Sequence, residues 1–349
     1  MLTSVGIENY RVLRRLEIPL APLTVLVGPN GVGKSTTLEV LQCLVRLATG
    51  GPGQQVQPGQ PEPWSEMKRA EIKGWIQDEN VRYEMGGWPA GNAMPLSKWI
   101  TLVNGKVPTT GHVIPYQKNQ LPAGFPTAVT RLHLNMKILR EGSPSNNALG
   151  MISDDGAGLA AALNDLKTND DPRFEAILEA MKAIVPQLKA IKAPRIPNLG
   201  AAFTVVFSTL AKADIPVKYM SDGTLYALAL LTALSFTPGK PSLVLLDDID
   251  HGLHPKAQSE LIAQIRAIQK INPGLQVIAS SHSPYLVDSL NGDEVVLMRS
   301  DADGFAQARQ LSQHPDYQRL KGALGTGEFW GSVGEEWIST SPVTTAGTP

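Results

Sequence analysis

The chain has 349 residues, a length that favours about two domains, and its 31 basic and 32 acidic residues leave a formal net charge of -1. Hydrophobic residues make up 42%, no apolar run reaches the roughly 20 residues of a membrane helix, and the N-terminus lacks a secretory pattern. The single cysteine, Cys43, excludes an internal disulfide framework, so we expect a cytoplasmic protein without a membrane partner.

The first predicted elements are strands within residues 2–27, followed by a helix from Lys34 to Arg46. The last strand, LTVLV at 23–27, is a continuous apolar run of the kind buried on both faces. Between this strand and the helix, GPNGVGKS at Gly28–Ser35 matches the pattern G-x-x-x-x-G-K-[ST]. A preceding strand and a following helix are the context that identifies a phosphate-binding loop.

This loop predicts an ATP site with Mg²⁺. Glycines let backbone N–H groups surround phosphate oxygens, and the helix N-terminus adds the positive end of its dipole. Lys34 is expected to reach the β- and γ-phosphates, the Ser35 hydroxyl to ligate Mg²⁺, and Thr36 to contact the α-phosphate. The other predicted nucleotide-binding residues in the loop are Asn30, Gly31, Val32 and Gly33.

The middle of the chain has a different composition. GGPGQQVQPGQPEP at 50–63 is a Gly/Pro/Gln-rich connector, and IKGWI, VRYEM, WITLV and HVIPY are short β-like pieces. We therefore predict a β-rich insertion at about 50–129. Four tryptophans lie in or beside it, and they either close a small β core or stack on bases: Trp64, Trp75, Trp88 and Trp99.

Apolar residues then recur at helical spacing between Leu149 and Leu210, with one predicted strand, AFTVVFS at 202–208. MSDGTLYALALL at 220–231 predicts an apolar helix preceded by a turn. Ser221 and Gly223 in this turn offer a hydroxyl and N–H groups to an anion, although the same residues by themselves also describe an ordinary helix cap.

Two polar segments follow predicted strands near the end. LVLLDDID at 243–250 places Asp247 to hold Mg²⁺ through water and Asp248 to orient or deprotonate the attacking water; the alternative is an acidic turn. SSHSP at 280–284 follows LQVIA, and His282 at the strand end is expected to face a γ-phosphate rather than to serve a structural role.

In this order, the P-loop, S-D-G-T, LLDDIDHGLHP and SSHSP resemble the ABC-class ATPases of the SMC, RecF and OLD groups, particularly stand-alone AAA-family ATPases related to the OLD head. E-N-Y before the loop and GEFWGSVGEEW at 327–337 are also similar. The resemblance covers residues 1–46 and roughly 130–337. It implies an α/β P-loop NTPase fold of ABC-ATPase type: a mixed central sheet flanked by helices, with the β-rich insertion. The head would span 1–338, and 339–349 would form a disordered tail.

The resemblance also implies a head-to-tail dimer with two ATP molecules at the interface. Ser221 and Gly223 would touch the γ-phosphate of the partner subunit's nucleotide, His282 would be the switch histidine, and the turn from Asp250 to Pro255 would cross the interface. The sequence departs from the family at Asp248, where Glu is usual, and at Ile249, where Pro is usual. The shorter Asp248 side chain predicts slow hydrolysis or a need for a tighter dimer.

We therefore expect an ATP-hydrolysing dimeric switch that regulates a separately encoded effector, such as a nuclease in bacterial antiphage defence. The reasons are the OLD-like motifs and the missing effector domain, since no acidic nuclease cluster follows residue 300. The absence of a long coiled coil excludes a full SMC-type protein. The main alternative is a DNA-binding repair or recombination ATPase of RecF character, although the near-neutral charge disfavours it. Its candidate basic residues are Arg11, Arg14 and Arg15, or Lys182, Lys189, Lys192 and Arg195. A transporter subunit and an ATP-binding protein without turnover are further alternatives.

Overall fold

The structure is a computed structural model that describes residues 1–49, 72–77, 81–87, 97–102, 125–144, 152–196, 202–236 and 241–340. The predicted connector at 50–63, the β-like piece HVIPY and residues 341–349 of the predicted tail lie outside these ranges. The chain divides into two compact units. The first comprises Met1–Val129, Lys240–Leu245 and Gln276–Pro349, and the second comprises Thr130–Gly239 and Leu246–Leu275.

Strands and helices in the described ranges follow the predicted order closely around the motifs. The strands are β1 (Ser4–Tyr10), β2 (Leu13–Pro19), β3 (Leu23–Val27), β4 (Ile72–Gln77), β5 (Val81–Gly87), β6 (Ser97–Leu102), β7 (Ala128–Leu132), β8 (Ser143–Pro144), β9 (Leu188–Lys192), β10 (Ala202–Phe203), β11 (Val206–Thr209), β12 (Asp214–Pro216), β13 (Ser242–Leu246), β14 (Leu275–Ser281), β15 (Val295–Ser300) and β16 (Ala306–Gln310). The α-helices are α1 (Lys34–Ala48), α2 (Met136–Arg140), α3 (Leu159–Thr168), α4 (Pro172–Ile184), α5 (Asp222–Ser235), α6 (Pro255–Ile271), α7 (Pro284–Val287), α8 (Tyr317–Leu320), α9 (Thr326–Val333) and α10 (Trp337–Thr340).

The predicted mixed sheet is present. Its six strands lie in the order β16-β15-β3-β14-β13-β7, with β14 and β15 parallel to β3 and β16 antiparallel to β15. All five residues of β3 are buried, as expected for a strand with neighbours on both sides and elements packed on both faces. The expectation of an α/β fold with a mixed central sheet flanked by helices is therefore confirmed.

A second sheet in the first unit is antiparallel and has the order β2-β1-β4-β5-β6. Strand β4 pairs directly with β1, with Val5 opposite Ile76. The strands of the predicted insertion therefore extend the N-terminal hairpin. In the register of this sheet Trp75 lies opposite Glu84, and Glu84 lies opposite Trp99.

The core of the first unit forms where helix α1 packs on the N-terminal strands. Leu38, Leu41 and Val45 are 0% exposed, and they share one apolar cluster with Leu13 and Ile18 of β2. Burial of this stripe stabilises the helix that follows the phosphate-binding loop, because most helical stability in proteins comes from packing an apolar face. This packing therefore fixes the helix end of the loop.

Helix α5 is the centre of the second unit. Its sequence is apolar on nearly every side, which predicts a fully buried helix, and it contacts α2, α3, α4 and α6. The helical region predicted between Leu149 and Leu210 ends earlier than expected, since β9 begins at Leu188. The predicted strand at 202–208 is interrupted and forms β10 and β11. Across the described residues, no helix has the length and apolarity needed to span a bilayer.

Candidate functional site

The predicted phosphate-binding loop connects β3 to α1 and is held by close backbone packing. At Gly28, φ is +139° and an added Cβ would lie 2.0 Å from the carbonyl oxygen of Met298. At Gly33, φ is +100° and a Cβ would lie 2.9 Å from side-chain atoms of Val12 and Leu13. Both positions therefore require glycine, and the 15-residue helix α1 begins directly after them. The loop has the backbone and the helix N-terminus that a phosphate group requires.

The side chains of this loop differ in accessibility. Lys34 is only 6% exposed, and its ammonium group donates hydrogen bonds of 2.8 Å to the carbonyl oxygens of Gly28 and of Pro29. Ser35 is exposed and Thr36 is half-buried. The lysine ammonium is therefore held over the loop, and the serine hydroxyl is accessible to a ligand. The remaining predicted contacts of the loop are exposed at Asn30 and Gly31 and buried at Val32 and Gly33.

His282 lies at the same edge of the sheet as the loop. Strands β14 and β3 are parallel, and Ser281 at the end of β14 pairs with Val27 at the end of β3. Gly28 and His282 therefore follow the ends of two neighbouring parallel strands. His282 is exposed, and the next residue, Ser283, donates its N–H to the Ser281 hydroxyl at 3.0 Å. The structure thus brings the predicted switch histidine beside the phosphate-binding loop.

In the second unit, Asp247 follows β13 directly and forms an ion pair. Arg131 in β7 donates from Nη2 to Asp247 Oδ2 at 2.6 Å, and the two side chains are 10% and 21% exposed. Sequence reasoning missed Arg131, for which the one available signal was a lone cation inside the short apolar strand AVTRL. Because this pair is largely buried, the guanidinium keeps Asp247 in a defined orientation.

Asp248 has an unusual backbone conformation. Its φ is +48°, in the left-handed region, and its carbonyl accepts the N–H of His251 at 2.9 Å. Asp is among the few residues other than Gly that adopt this region at small cost, and such conformations cluster at functional sites. The Asp248 side chain is exposed. The turn therefore presents this carboxylate to the surface of the unit.

A buried tyrosine lies beside the acidic turn. The ring of Tyr226, in α5, lies 5.9 Å from that of His251. Burial, followed by the negative charges of Asp250, Asp248 and Asp247, raises the pKa of the Tyr226 hydroxyl well above its ordinary value. The buried helix α5 therefore carries a neutral hydroxyl within electrostatic range of three carboxylates.

Ser221 and Gly223 form the tight turn that opens α5. Ser221 is the N-cap residue, and its exposed hydroxyl oxygen accepts the N–H of Thr224 at 3.3 Å. A Cβ at Gly223 would lie 2.2 Å from the carbonyl oxygen of Gly252, so the two backbones are in direct contact. Gly252 itself has φ +64° and belongs to the turn from Asp250 to Pro255. The structure therefore joins the two turns that the resemblance assigns to a dimer interface.

We expect Gly223→Ala to separate these turns. The added methyl group has no room against the Gly252 carbonyl, so the Ser221 turn must shift. The ATP-dependent dimerisation that the resemblance implies, and phosphate release with it, should fall at least about tenfold, which corresponds to about 1.4 kcal/mol. Gly331→Ala in α9 is the matched control, because a Cβ there meets nothing within 4 Å. Equal dimerisation by the two variants would contradict the importance of the Gly223–Gly252 contact.

The basic residues considered for DNA binding mostly have partners. Arg11 pairs with Glu39 at 2.8 Å, and Arg15 with Glu8 at 3.8 Å. The remaining described contacts pair Lys182 with Glu179 and Lys192 with Asp214, and place Arg14 over the Phe305 ring and Arg195 over the Phe203 ring. The four ion pairs, of Arg11, Arg15, Lys182 and Lys192, are of a kind that is typical of a solvated surface. The structure therefore adds no support to the DNA-binding alternative.

Comparisons with known proteins agree with the motifs. The family described as "AAA domain, putative AbiEii toxin, Type IV TA system" matches residues 121–288, and that described as "AAA ATPase domain" matches residues 1–74. A Retron Vc95 probable ATPase from Vibrio cholerae serotype O1 biovar El Tor is 28% identical over 151 residues, 39% of this chain and 28% of that protein.

Two other curated relatives match different lengths of the chain. The OLD nuclease of Thermus scotoductus is 42% identical over 45 residues, 13% of this chain and 8% of that protein. The Septu protein PtuA of Bacillus mycoides is 20% identical over 344 residues, 95% of this chain and 45% of that protein. The chain thus spans less than half the length of each of these relatives.

Among solved structures, the SMC head bound to the C-winged helix domain of ScpA is similar. It has a TM-score of 0.57 at 14% identity, and the match covers 91% of this chain and 99% of that chain. This likeness concerns the fold. Together with the family matches and the curated relatives, it supports the resemblance drawn from the motifs.

Proposed function

Taking the chain as an OLD/SMC-like ATPase, we propose that it is a dimeric switch in which ATP joins two copies and hydrolysis separates them. The single observation that supports this most strongly is the phosphate-binding loop with His282 beside it at the ends of two parallel strands. Backbone N–H groups, a buried lysine ammonium and an imidazole at one sheet edge are suited to a triphosphate.

In this proposal the loop residues bind the nucleotide of their own subunit. Lys34 exchanges its contacts with the Gly28 and Pro29 carbonyls for phosphate oxygens. The Ser35 hydroxyl would ligate Mg²⁺, Asp247 would hold the ion through water, and the bound ion would neutralise charge on the phosphates. Asp247 also pairs with Arg131, so its carboxylate is already oriented before the ion arrives.

The hydrolytic step is assigned to Asp248 and His282. Asp248 accepts a proton from the attacking water, a role open to an exposed carboxylate. His282 contacts the γ-phosphate and reports whether it is present. Asp248 lies in a left-handed turn and is one methylene shorter than the usual Glu, so we expect slow hydrolysis or a need for a tightly closed dimer.

The second copy completes the site. Ser221 is exposed at the N-terminus of a 14-residue helix, where N–H groups and the helix dipole favour an anion. We infer that Ser221 and Gly223 of one subunit contact the γ-phosphate held by the loop of the other. Because each nucleotide would contact both subunits, the dimer would form only when ATP is bound. This dependence on ATP is what makes the dimer a switch.

We assign the control of a separately encoded effector, such as a nuclease in antiphage defence, to this switch. The support is the presence of a retron ATPase, an OLD nuclease and a Septu protein among its relatives. Affinity capture from the native host in the presence of ATP tests the assignment. The expected result is one stoichiometric partner that is retained with ATP and released with ADP; the same preparation without any ATP-dependent partner would contradict it.

The ATPase switch itself is tested with purified protein. We expect phosphate release that requires Mg²⁺ and stops in EDTA, because carboxylate and hydroxyl ligands bind the nucleotide through the ion. We also expect light scattering to report a dimer with ATP and a monomer with ADP. Phosphate release without Mg²⁺, or the same molecular mass with ATP and Mg²⁺ as with ADP, would contradict the proposal.

A further inference from the structure

An arginine outside the predicted motifs holds the Ser221 turn. Arg140 is the last residue of α2, and its Nη2 lies 2.5 Å from Asp222 Oδ1. The same nitrogen donates to the carbonyl oxygen of Met220 at 3.0 Å. Met220 and Asp222 are the two neighbours of Ser221 in the chain. One guanidinium therefore contacts the backbone carbonyl before Ser221, that of Met220, and the carboxylate after it, that of Asp222.

Helix α2 gives this arginine a fixed origin. The Asn135 side chain caps the helix by accepting the N–H groups of Lys137 at 2.9 Å and of Ile138 at 3.4 Å. Leu139 is 3% exposed and anchors the helix in the unit. A capped helix with a buried anchor restricts where its last side chain can point. The arginine therefore acts on the turn from a defined position.

The charge of Asp222 explains why the turn needs a cation. Asp222 lies between Ser221 and Gly223, the residues assigned to the partner's γ-phosphate, and its side chain is 51% exposed. An uncompensated carboxylate there would repel a triphosphate, since like charges at short range oppose each other. The Arg140 guanidinium cancels this charge and leaves the Ser221 hydroxyl exposed.

The geometry points to Arg140 as a positioning residue for the dimeric ATPase. It holds the Ser221–Gly223 turn in the shape that meets the partner's nucleotide, and it neutralises Asp222 at that meeting point. The Gly223–Gly252 contact supports the opposite side of the turn. This inference rests on the proposed head-to-tail dimer and names a residue that the family motifs do not include.

The test compares Arg140→Gln with the wild-type chain. We expect the dissociation constant of the ATP-bound dimer to rise at least about tenfold, which corresponds to about 1.4 kcal/mol. ATP binding by the single chain and the melting temperature should stay unchanged, because a half-exposed ion pair contributes little to stability. Arg140→Lys keeps the charge and should restore part of the dimerisation. Arg173→Gln is the matched control. Arg173 lies in α4 and pairs with Asp171, the residue before that helix, at 2.6 Å, so the variant also removes one arginine–aspartate pair.

A double variant separates the role in dimerisation from a merely structural one. Arg140→Gln combined with Asp222→Asn removes the unpaired negative charge, so it should dimerise more tightly than Arg140→Gln alone. Wild-type dimerisation by Arg140→Gln overturns the inference, and a double variant no better than the single overturns the charge-cancelling role. If Arg140→Gln also lowers the melting temperature, the two substitutions are compared directly. The ATP-bound dimer of Arg140→Lys must then be tighter than that of Arg140→Gln, and equal dissociation constants overturn the inference. A wild-type chain that stays monomeric with ATP overturns the proposed function instead.

Discussion

Replacing Lys34 with Ala is expected to lower the affinity for ATP by about 100-fold or more. A charge-assisted hydrogen bond contributes about 1.5–3 kcal/mol, and this ammonium is assigned to two phosphate groups. The proposed ATP-dependent dimerisation and phosphate release should both disappear. Isothermal titration calorimetry with ATP and Mg²⁺, followed by light scattering of the same sample, measures the two effects. Unaltered ATP binding by this variant would show that the loop at Gly28–Ser35 does not bind the nucleotide.

The control for this variant has to keep the fold and remove a lysine elsewhere. Lys182→Ala serves, because Lys182 lies in α4 and pairs with Glu179 on the surface of the helix. Lys34 also donates to the Gly28 and Pro29 carbonyls, so its loss affects the loop as well as the ligand. Melting curves of both variants identify any such loss of stability, which should be within a few kcal/mol.

Asp248→Asn is expected to lower the rate of hydrolysis by about 100-fold or more, because the amide does not accept a proton from water. ATP binding uses other residues and should remain. In the proposed switch, separation of the dimer depends on hydrolysis, so this variant should accumulate as an ATP-bound dimer. Single-turnover phosphate release together with light scattering over time measures both quantities.

Asn is the informative substitution at this position because it also adopts left-handed backbone conformations. It therefore keeps the turn at φ +48°, whereas Ala would add backbone strain to the loss of the carboxylate. Asp293→Asn changes an exposed carboxylate in the other unit and serves as the control. Rapid hydrolysis by Asp248→Asn would show that another group activates the water. Slow hydrolysis with a dimer lifetime equal to that of the wild type would show that the dimer separates without hydrolysis.

Local patterns in the sequence predicted the elements that carry the main motifs. An apolar run, a glycine-rich loop and an amphipathic stretch are short-range features, and they correspond to β3, the phosphate-binding loop and α1. The all-apolar composition of α5 likewise predicts a buried helix. The helical region before it was less predictable, because its apolar spacing continues past Ile184 into residues that form β9. Short apolar runs do not distinguish a helix from a strand.

The roles of Arg131 and Arg140 could not be predicted from the sequence, because their ion-pair partners are identified only in the folded structure. Arg131 is 116 residues from Asp247, and Arg140 is 82 residues from Asp222, so no local spacing links them. The Gly223–Gly252 contact and the pairing of β4 with β1 are also long-range. Such pairs are set by how helices and strands pack, and side-chain type within one segment carries little information about them.

The sequence by itself determined the P-loop NTPase fold and the order of its motifs, because a phosphate-binding loop depends on residues that are adjacent in the chain. Only the tertiary structure decided that His282 follows the strand beside the loop, that Asp247 is paired with Arg131 and that Arg140 grips the Ser221 turn. The physical reason is distance along the chain: hydrogen bonds and ion pairs act over a few ångströms in space, and only folding brings distant segments within that range.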